Sequence, residues 1–391
     1  MALTVMYDDN FRELILDVSS KIYNFAEIGS QEYKSSKLLM EILQSKGFVI
    51  TNPYMGMDTA FRAEYGIGHP AVGILAEFDA LPNGHSCGHN LISAWALGTA
   101  IKVAESLKSG RIVVFGTPSE EGIGPYAGSK AIMAEKGAFK DIDFVMGMHP
   151  DDRWAVGSKA LADAEMEFTF LGKSAHMAAS PCYGINALDA LVTSYTAINN
   201  MRDWIKNDKH SVIGMIIKEG GRASNVVPDR AVLEVDVRSS SSDFLKKLVL
   251  KIKKLVKSVS EGFGTQLIIK DLMPMYTEYK PNKTIDSILL KNLNKFNINA
   301  YNIDNEEGYG CGSTDEANVS LSVPTGHIDM KIGTNIPGHS DEFRNAANPK
   351  RAANNLFTTI NVAYNSIMEI LENQETLVKI KNEFGGDHGE N

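Results

Sequence analysis

The spacing of apolar positions divides the first part of the chain into helices and short strands. Apolar residues recur every three to four positions in "NFRELILDVSSKIYNFAE" and "SSKLLMEILQSKGF", which predicts two helices. Three continuous apolar runs then predict buried strands at 71–78, 111–117 and 144–149, with helical patterns between them at 91–107 and 129–139. This alternation predicts right-handed βαβ units and a largely parallel sheet flanked by helices, an α/β fold.

The pattern changes after about Asp163. Four segments predict strands, the alternating "AEMEFTFLG" followed by "SVIGMIIKEGG", "AVLEVDVRS" and "TQLIIKDLM", and two helical segments lie among them. Their order, β-α-β-β-α-β, is that of a ferredoxin-like α+β domain. The chain then returns to a helix near 284–296, a strand near 326–332 and a helix near 349–372. We therefore expect a discontinuous first domain, 1–163 and 279–391, with a second domain inserted at 164–278.

Side chains that can bind metals or perform acid–base chemistry follow the predicted strands. In open α/β sheets, ligands bind beyond the carboxyl ends of the strands. We therefore expect one edge of the sheet to collect Asp79, His85, Cys87, His89, Glu120, Glu121 and His149. His339, in the loop "PGHSDEF" before the last helix, is a further candidate.

This set of residues favours a metal centre. One residue separates Cys87 from His89, so a single tight turn can direct both side chains at one ion. Glu120 and Glu121 are adjacent and diverge, so one can ligate while the other faces a water. The alternative is a thiol enzyme in which Cys87 is the nucleophile and His85 or His89 its base, which leaves the glutamates unexplained.

Composition narrows the class of protein. The net charge of −9 does not provide the excess of positive charge that typically binds nucleic acid. No apolar run reaches the length of a membrane span. Three cysteines in 391 residues favour a reducing compartment, and the opening residues show no secretory signal pattern. We expect a cytoplasmic protein that binds neither nucleic acid nor membranes.

Six ordered motifs resemble those of the peptidase M20 family, subfamily D, the amidohydrolase branch. They are "AEFDALPNGHSCGHN", "GTPSEEG", "MGMHP", "GKSAHMAASPCYGINALDA", "GGRASNVVPDRA" and "GHSDEF". With "GCGSTDEANVS", they are most similar to the aminobenzoyl-glutamate hydrolase and M20 domain-containing protein 2 subgroup. Asn90 departs from the commoner branch pattern, which has Asp there. The resemblance implies a zinc-exopeptidase-like catalytic domain with an inserted lid domain that forms a homodimer.

The resemblance also implies roles for the residues at the sheet edge. Carried over position by position, the metal ligands are Cys87, His89, Glu121, His149 and His339, and Glu120 is the general base. Where the wider family has the ligand motif H-x-D, this chain reads Glu77-Phe78-Asp79, so His89 would substitute and Asp79 would support catalysis by orienting a ligand. Two divalent ions per subunit are implied, Zn²⁺ or Mn²⁺, with Co²⁺ or Ni²⁺ as alternatives.

Three residues of the inserted domain are candidates for substrate binding. His176 and Asn225 resemble family residues that reach across a dimer interface to the oxyanion or the substrate carboxylate. A loop histidine and an Asx turn before Pro228 are the alternatives. Arg238 can pair with a substrate carboxylate or form an ordinary salt bridge.

The expected function is a metal-dependent amidohydrolase. Its substrates would be N-acyl amino acids, aminobenzoyl-glutamate-like amides or dipeptides. Glu120 would accept a proton from a metal-activated water and pass it to the leaving amine. A catalytically inactive, metal-stabilised binding protein and a Cys87 thiol hydrolase remain the alternatives.

Overall fold

The chain forms two compact units in a computed structural model that describes residues 7–205, 210–306 and 312–386. Of these residues, the first unit contains 7–159, 279–306 and 314–386, and the second contains 160–205, 210–278 and 312–313. The second unit therefore begins at Ala160.

The first unit is an α/β structure. Its strands are β1 (Val49–Thr51), β2 (Phe61–Ile67), β3 (Ala71–Glu77), β4 (Gly110–Thr117), β5 (Phe144–Asp151), β6 (Ala155–Val156), β11 (Tyr301–Asn302) and β12 (Thr325–Lys331). Its helices are α1 (Asp9–Phe25), α2 (Tyr33–Ser45), α3 (His89–Ser106), α4 (Ser129–Glu135), α8 (Lys283–Asn294), α9 (Glu316–Ser322), α10 (Asp341–Ala346), α11 (Pro349–Leu371) and α12 (Gln374–Gly386).

The strands of the first unit form one eight-stranded sheet in the order β1-β2-β4-β3-β5-β12-β6-β11. The central strands β4, β3, β5 and β12 are parallel, whereas β1 and β2 run antiparallel to their neighbours. The predicted mostly parallel α/β sheet is thus confirmed. The antiparallel strands β1 and β2 were not predicted, because "FRAEYGI" mixes charged with apolar residues and β1 has only three residues.

Helices cover both faces of this sheet. Every residue of β3 is buried, and alternate side chains enter two different apolar clusters. Val72 and Ile74 pack with α1, α3, α8 and α11, whereas Leu75 packs with α4 and α9. A strand enclosed on both faces needs a continuous apolar run, which explains the pattern that predicted it.

The second unit is an antiparallel sheet with helices. It consists of β7 (Ala162–Leu171), α5 (Ala187–Asn200), α6 (Arg202–Ile205), β8 (Val212–Glu219), β9 (Arg230–Ser239), α7 (Ser242–Phe263) and β10 (Gln266–Asp271). The strand order is β10-β7-β9-β8, and the element order is the predicted βαββαβ with the short α6 added. Helix α7 buries Leu245, Leu248, Ile252 and Val256, which share one face at a helical period.

No helix in the described ranges is both long and apolar enough to cross a membrane. In the first unit, the parallel register places the ends of β3 and β4 side by side, with Glu77 opposite Thr117. The loops that follow these strands therefore begin at the same edge of the sheet.

Candidate metal centre

A tight loop after β3 presents Cys87 and His89. Gly84 and Gly88 have φ of +94° and +79°, a conformation that residues with a Cβ rarely adopt. A Cβ at Gly88 would also lie 2.8 Å from Pro150 Cγ, so the loop passes too close to β5 for any larger residue. His89 is the first residue of α3, which fixes its side chain on a rigid element.

The loop that carries His339 is joined to this loop by two hydrogen bonds. The backbone N–H of His339 donates to the carbonyl of Ser86 at 3.0 Å, and Asn83 Nδ2 donates to the His339 carbonyl at 3.1 Å. His339 has φ of +63°. Asn83 and His339 lie 256 positions apart along the chain, so sequence spacing alone cannot reveal this pairing.

Glu120 and Glu121 are presented by a strained turn after β4. Ser119 has φ of +57°, and its N–H donates to Glu32 Oε1 at 2.9 Å. Its Oγ lies 2.8 Å from Ser30 Oγ. Burial, followed by the nearby charge of Asp79, raises the pKa of Glu32 to about 7. This buried network holds the turn, and therefore the two glutamates, in place.

The five ligands implied by the resemblance lie together. In two overlapping sets, the ligand atoms all lie within 4.8 Å of one another: Cys87, His89 and His149, and Cys87, Glu121 and His339. Cys87 belongs to both sets and lies at 3.2 Å from His149 Nε2, while His339 Nε2 lies 3.5 Å from Glu121 Oε2. A third set consists of Glu77, His89 and Glu120.

The cluster has the chemistry that divalent cations require. His89 Nε2, Glu121 Oε1 and Glu77 Oε2 are buried, and none has a hydrogen-bond partner among the described residues. Burial raises the pKa of Glu121 to about 7. The charge of His89 opposes this rise, and the charge of Glu120 adds to it. Buried polar atoms without partners are costly, and cations would satisfy them. A thiol, imidazoles and carboxylates together fit Zn²⁺ or Mn²⁺.

Asp79 connects two of these ligands. Its Oδ1 lies 2.9 Å from His89 Nδ1, and its Oδ2 accepts the Glu121 N–H at 3.1 Å. Burial would raise the pKa of Asp79, but the charge and hydrogen bond of His89 hold it below the usual value. The Nδ1 proton of His89 therefore faces Asp79 and leaves Nε2 for a cation, an arrangement typical of metal-binding histidines.

Replacing Asp79 with Asn should weaken metal binding. The amide no longer holds His89 by charge, and its NH₂ group competes with the His89 Nδ1 proton or the Glu121 N–H. We expect affinity for Mn²⁺ to fall about 10–100-fold, measured by calorimetric titration of the metal-free protein. Unchanged affinity would mean that Asp79 does not orient these ligands.

Glu120 has one anchored oxygen and one that faces the ligands. Thr314 Oγ1 donates to Glu120 Oε1 at 3.0 Å, and Glu120 Oε2 lies 3.8 Å from His89 Nε2. The side chain is 14% exposed, so solvent reaches it only in part. A carboxylate held in this way can accept a proton at one fixed position.

Three comparisons place the chain among known proteins. Residues 156–263 match the peptidase dimerisation domain of the M20 group. The chain is 29% identical to Xaa-Arg dipeptidase from Mus musculus, covering 96% of this chain and 90% of the relative. It is 27% identical to one subunit of p-aminobenzoyl-glutamate hydrolase from Escherichia coli strain K12, covering 74% of this chain and 64% of that protein.

The chain is similar to members of the peptidase M20 family over nearly its whole length. The fold agrees with a crystal structure from Bacillus subtilis described as a dinuclear metal-binding peptidase of the M20 family. The TM-score is 0.63 at 19% identity, over 93% of this chain and 99% of the other. The resemblance that the six motifs predicted is therefore confirmed, and so is the class of enzyme, a hydrolase acting on C–N bonds.

The two candidate lid residues are neighbours within the second unit. His176 forms a β-bridge with Val226, and the Met177 N–H donates to the Asn225 carbonyl at 2.9 Å. His176 Nδ1 accepts from the backbone N–H groups of Ala178 and Ala179. The proton of a neutral His176 is therefore on Nε2, and both His176 and Asn225 are exposed.

Arg238 has the partners of the salt-bridge alternative. Its guanidinium lies 3.3 Å from Asp163 and 3.2 Å from Asp236 within the second unit. These carboxylates already occupy the guanidinium, which favours the salt-bridge alternative.

Other polar residues near the motifs have structural contacts. His85 is buried and its Nε2 bonds the Ile22 carbonyl at 2.9 Å; burial lowers its pKa to about 4. Asn90, which differs from the commoner M20 pattern, donates to Ser19 Oγ and the Ala347 carbonyl. His327 lies 2.8 Å from Glu316 and 3.2 Å from Asp329. Because the Ile22 carbonyl occupies its Nε2, His85 is poorly placed to act as the base that the thiol-enzyme alternative assigns to it.

Sequence reasoning missed four residues around Glu120. They are Glu77, Lys130, Thr314 and Asp315. In the sequence, Glu77 marks only the position of a missing histidine. Thr314 and Asp315 belong to the motif "GCGSTDEANVS", whose first two residues lie outside the described residues, and the motif could have drawn attention to them. No pattern marked Lys130, a lysine on a short helix.

Proposed function

We propose that this protein is a metal-dependent amidohydrolase that cleaves the amide bond of dipeptides, N-acyl amino acids or aminobenzoyl-glutamate-like amides. The observation that carries the proposal is the convergence of Cys87, His89, Glu121, His149 and His339 beside the anchored Glu120. The names of the relatives, a dipeptidase and an aminobenzoyl-glutamate hydrolase, support this class of substrate.

In the proposed hydrolysis, the metal ligands, Glu120 and Asp79 have separate roles. Divalent cations held by the five ligands would polarise the amide carbonyl and make water more acidic. Glu120, fixed at Oε1 by Thr314, uses Oε2 to take the proton from the attacking water. It then returns this proton to the leaving amine, so one carboxylate acts as base and acid. Asp79 maintains the His89 tautomer throughout.

Two cations per subunit, Zn²⁺ or Mn²⁺, form part of this proposal. The Cys87 sulfur favours a borderline-soft ion such as Zn²⁺, whereas the carboxylate and imidazole ligands also suit Mn²⁺, with Co²⁺ and Ni²⁺ as alternatives. The Bacillus subtilis peptidase described as dinuclear supports the number of ions.

The thiol-hydrolase alternative is weaker on one physical ground. Burial raises the pKa of the Cys87 thiol well above its usual value, so an unmetallated Cys87 would be a poor nucleophile. Beside a divalent cation the same thiol would be deprotonated and serve as a ligand. The inactive-binder alternative does not account for a glutamate that is fixed beside the ligands by a hydrogen bond from Thr314.

A substrate panel tests the function. The metal-loaded enzyme would be incubated with dipeptides, N-acyl amino acids and p-aminobenzoyl-glutamate, with Mn²⁺, Co²⁺ or Zn²⁺ added, and released amines would be quantified. We expect hydrolysis of at least one class. Metal binding without turnover of any member would support the binding-protein alternative instead.

We further propose that the second unit forms a homodimer through β8. This strand lies at an edge of its sheet, and Val212, Ile216 and Ile217 are about half exposed on it. An apolar edge strand is a template for pairing with another strand. The match of residues 156–263 to a peptidase dimerisation domain supports dimerisation through this unit.

Ile216→Glu should weaken this dimer. The charge would be buried at the pairing edge and repeated by the symmetry of the dimer, so we expect the dimer dissociation constant to rise at least about tenfold, an effect of roughly 1.4 kcal/mol. Sedimentation velocity would measure it. Ile268→Glu, on the opposite edge strand β10, is the matched control. A wild-type monomer, or dissociation by the control alone, would refute the β8 interface.

A cytoplasmic location also remains a proposal, supported by only three cysteines in 391 residues. Fractionation of cells that produce the tagged protein would test it, and recovery outside the cytoplasmic fraction would contradict it.

A further inference from the structure

Glu77 is held by a buried charged network that the proposed reaction does not use. Lys130 Nζ lies 2.7 Å from Glu77 Oε1 and 2.5 Å from Asp315 Oδ1, and the Lys130 and Asp315 side chains are fully buried. The Lys130 backbone N–H also donates to Asp315 Oδ2 at 2.9 Å. Burying three charged groups is costly, and an apolar core would serve stability as well. The network therefore needs a reason beyond packing.

The second oxygen of Glu77 is directed at His89. Glu77 Oε2 lies 3.4 Å from His89 Nε2, and both atoms are buried without a hydrogen-bond partner in the part of the chain that the structure describes. His89 Nδ1 is already satisfied by Asp79, so Nε2 is the nitrogen that His89 can offer to a cation. A carboxylate oxygen beside this nitrogen favours a positive species near both atoms, a proton in the metal-free protein or a bound cation.

A metal cation satisfies both atoms. We propose that Glu77 Oε2 is an additional oxygen ligand for the cation that His89 binds, and that Lys130 and Asp315 are positioning residues that fix the Glu77 carboxylate. This inference rests on the metal site of the proposed function. It gives Glu77 the role of a ligand at the position where the wider family has the histidine of H-x-D.

The geometry supports this role over a simple counterion for Lys130. A counterion needs only one oxygen near Lys130, and Asp315 already supplies a second carboxylate at shorter distance. Glu77 instead belongs to the set with His89 and Glu120, whose ligand atoms lie within 4.8 Å of one another, and its Oε2 is the oxygen that lies near His89. Support of a ligand by a charged neighbour is the usual arrangement around metals.

The test compares metal binding by full-length variants. Metal-free protein would be titrated with Mn²⁺ alone in a calorimeter, and bound metal would be counted by mass spectrometry. Glu77→Gln removes the anion but leaves Lys130 paired with Asp315, so it should fold. We expect one of two sites to weaken at least about tenfold, with the other unchanged. Glu77→His restores a donor and should bind more tightly than Glu77→Gln.

Asp143→Asn is the matched control. Asp143 is another buried carboxylate of the first unit, paired with Lys381 and with His69 Nδ1, and it precedes β5 at the opposite end from His149. Asp143→Asn should leave Mn²⁺ affinity unchanged. The melting temperature of each metal-free variant would report any loss of stability. If Glu77→Gln does not fold, Glu77→Asp provides the comparison, since it keeps the charge but withdraws the oxygen by one methylene.

The outcomes separate the two proposals. Two Mn²⁺ ions bound with wild-type affinity by Glu77→Gln, or by Glu77→Asp when that variant is used, would overturn the role of Glu77 and leave the amidohydrolase intact. Weaker binding by Glu77→His than by Glu77→Gln would assign Glu77 to structure rather than to the metal. Failure of the wild-type protein to bind Mn²⁺ or Zn²⁺ would instead overturn the proposed function itself.

Discussion

Glu120→Gln is expected to lower kcat about 10²–10⁴-fold while the protein keeps its metal ions. The amide preserves the size of the side chain and the hydrogen bond from Thr314, but it cannot accept a proton from water. Steady-state kinetics on the best substrate of the panel, with metal content measured in the same preparation, would check this. KM should change little, because Glu120 is not expected to bind the substrate in its ground state.

The adjacent Glu121→Gln is the matched control. Glu121 Oε1 is a buried atom without a hydrogen-bond partner among the described residues, and Oε2 lies 3.5 Å from His339 Nε2, so this variant should lose activity together with metal. If both variants lose metal equally, or if Glu120→Gln retains full kcat, the separate roles of the two glutamates are wrong.

Metal removal should abolish activity reversibly. After dialysis against a chelator, we expect turnover to fall roughly 10³-fold or more and to return when Mn²⁺ or Zn²⁺ is added, because the carbonyl and water lose their activation. Iodoacetamide provides the control. Cys87 should be protected from alkylation in the metal-loaded protein, since its sulfur belongs to both overlapping ligand sets. Full activity of the chelated protein, lost on alkylation, would establish the thiol hydrolase.

The fold followed from the sequence wherever burial imposes a strong pattern. Strand β3, buried on both faces, was predicted almost to its ends, and helix α7, apolar on one face, was predicted as one of the two helical segments of the inserted domain. The short strands β1, β6 and β11 have two or three residues, too few for any period to be read. Strand β2 was missed because Arg62 and Glu64 interrupt its apolar pattern; both form ion pairs in the fold.

The site could be predicted only in part. The rule for strand ends brought Cys87, Glu121 and His149 to one edge, and the family resemblance added the role of His339. The contacts that support these residues are tertiary. Lys130 lies 53 positions from Glu77, and Thr314 lies 194 positions from Glu120, so no local pattern could pair them. For Arg238 the sequence left a substrate contact and a salt bridge equally open. The antiparallel register of β7 and β9, which sets Arg238 opposite Asp163, was needed to identify a partner.

The most direct test of the central claim is a crystal structure of the metal-loaded protein with anomalous diffraction data collected at the absorption edge of the bound metal. The account predicts two anomalous peaks per chain, within coordinating distance of Cys87, His89, Glu121, His149 and His339, with the Cys87 sulfur bound to metal. A fully loaded crystal with no peak in this cluster, or with Cys87 Sγ outside coordinating distance of every ion, would contradict it.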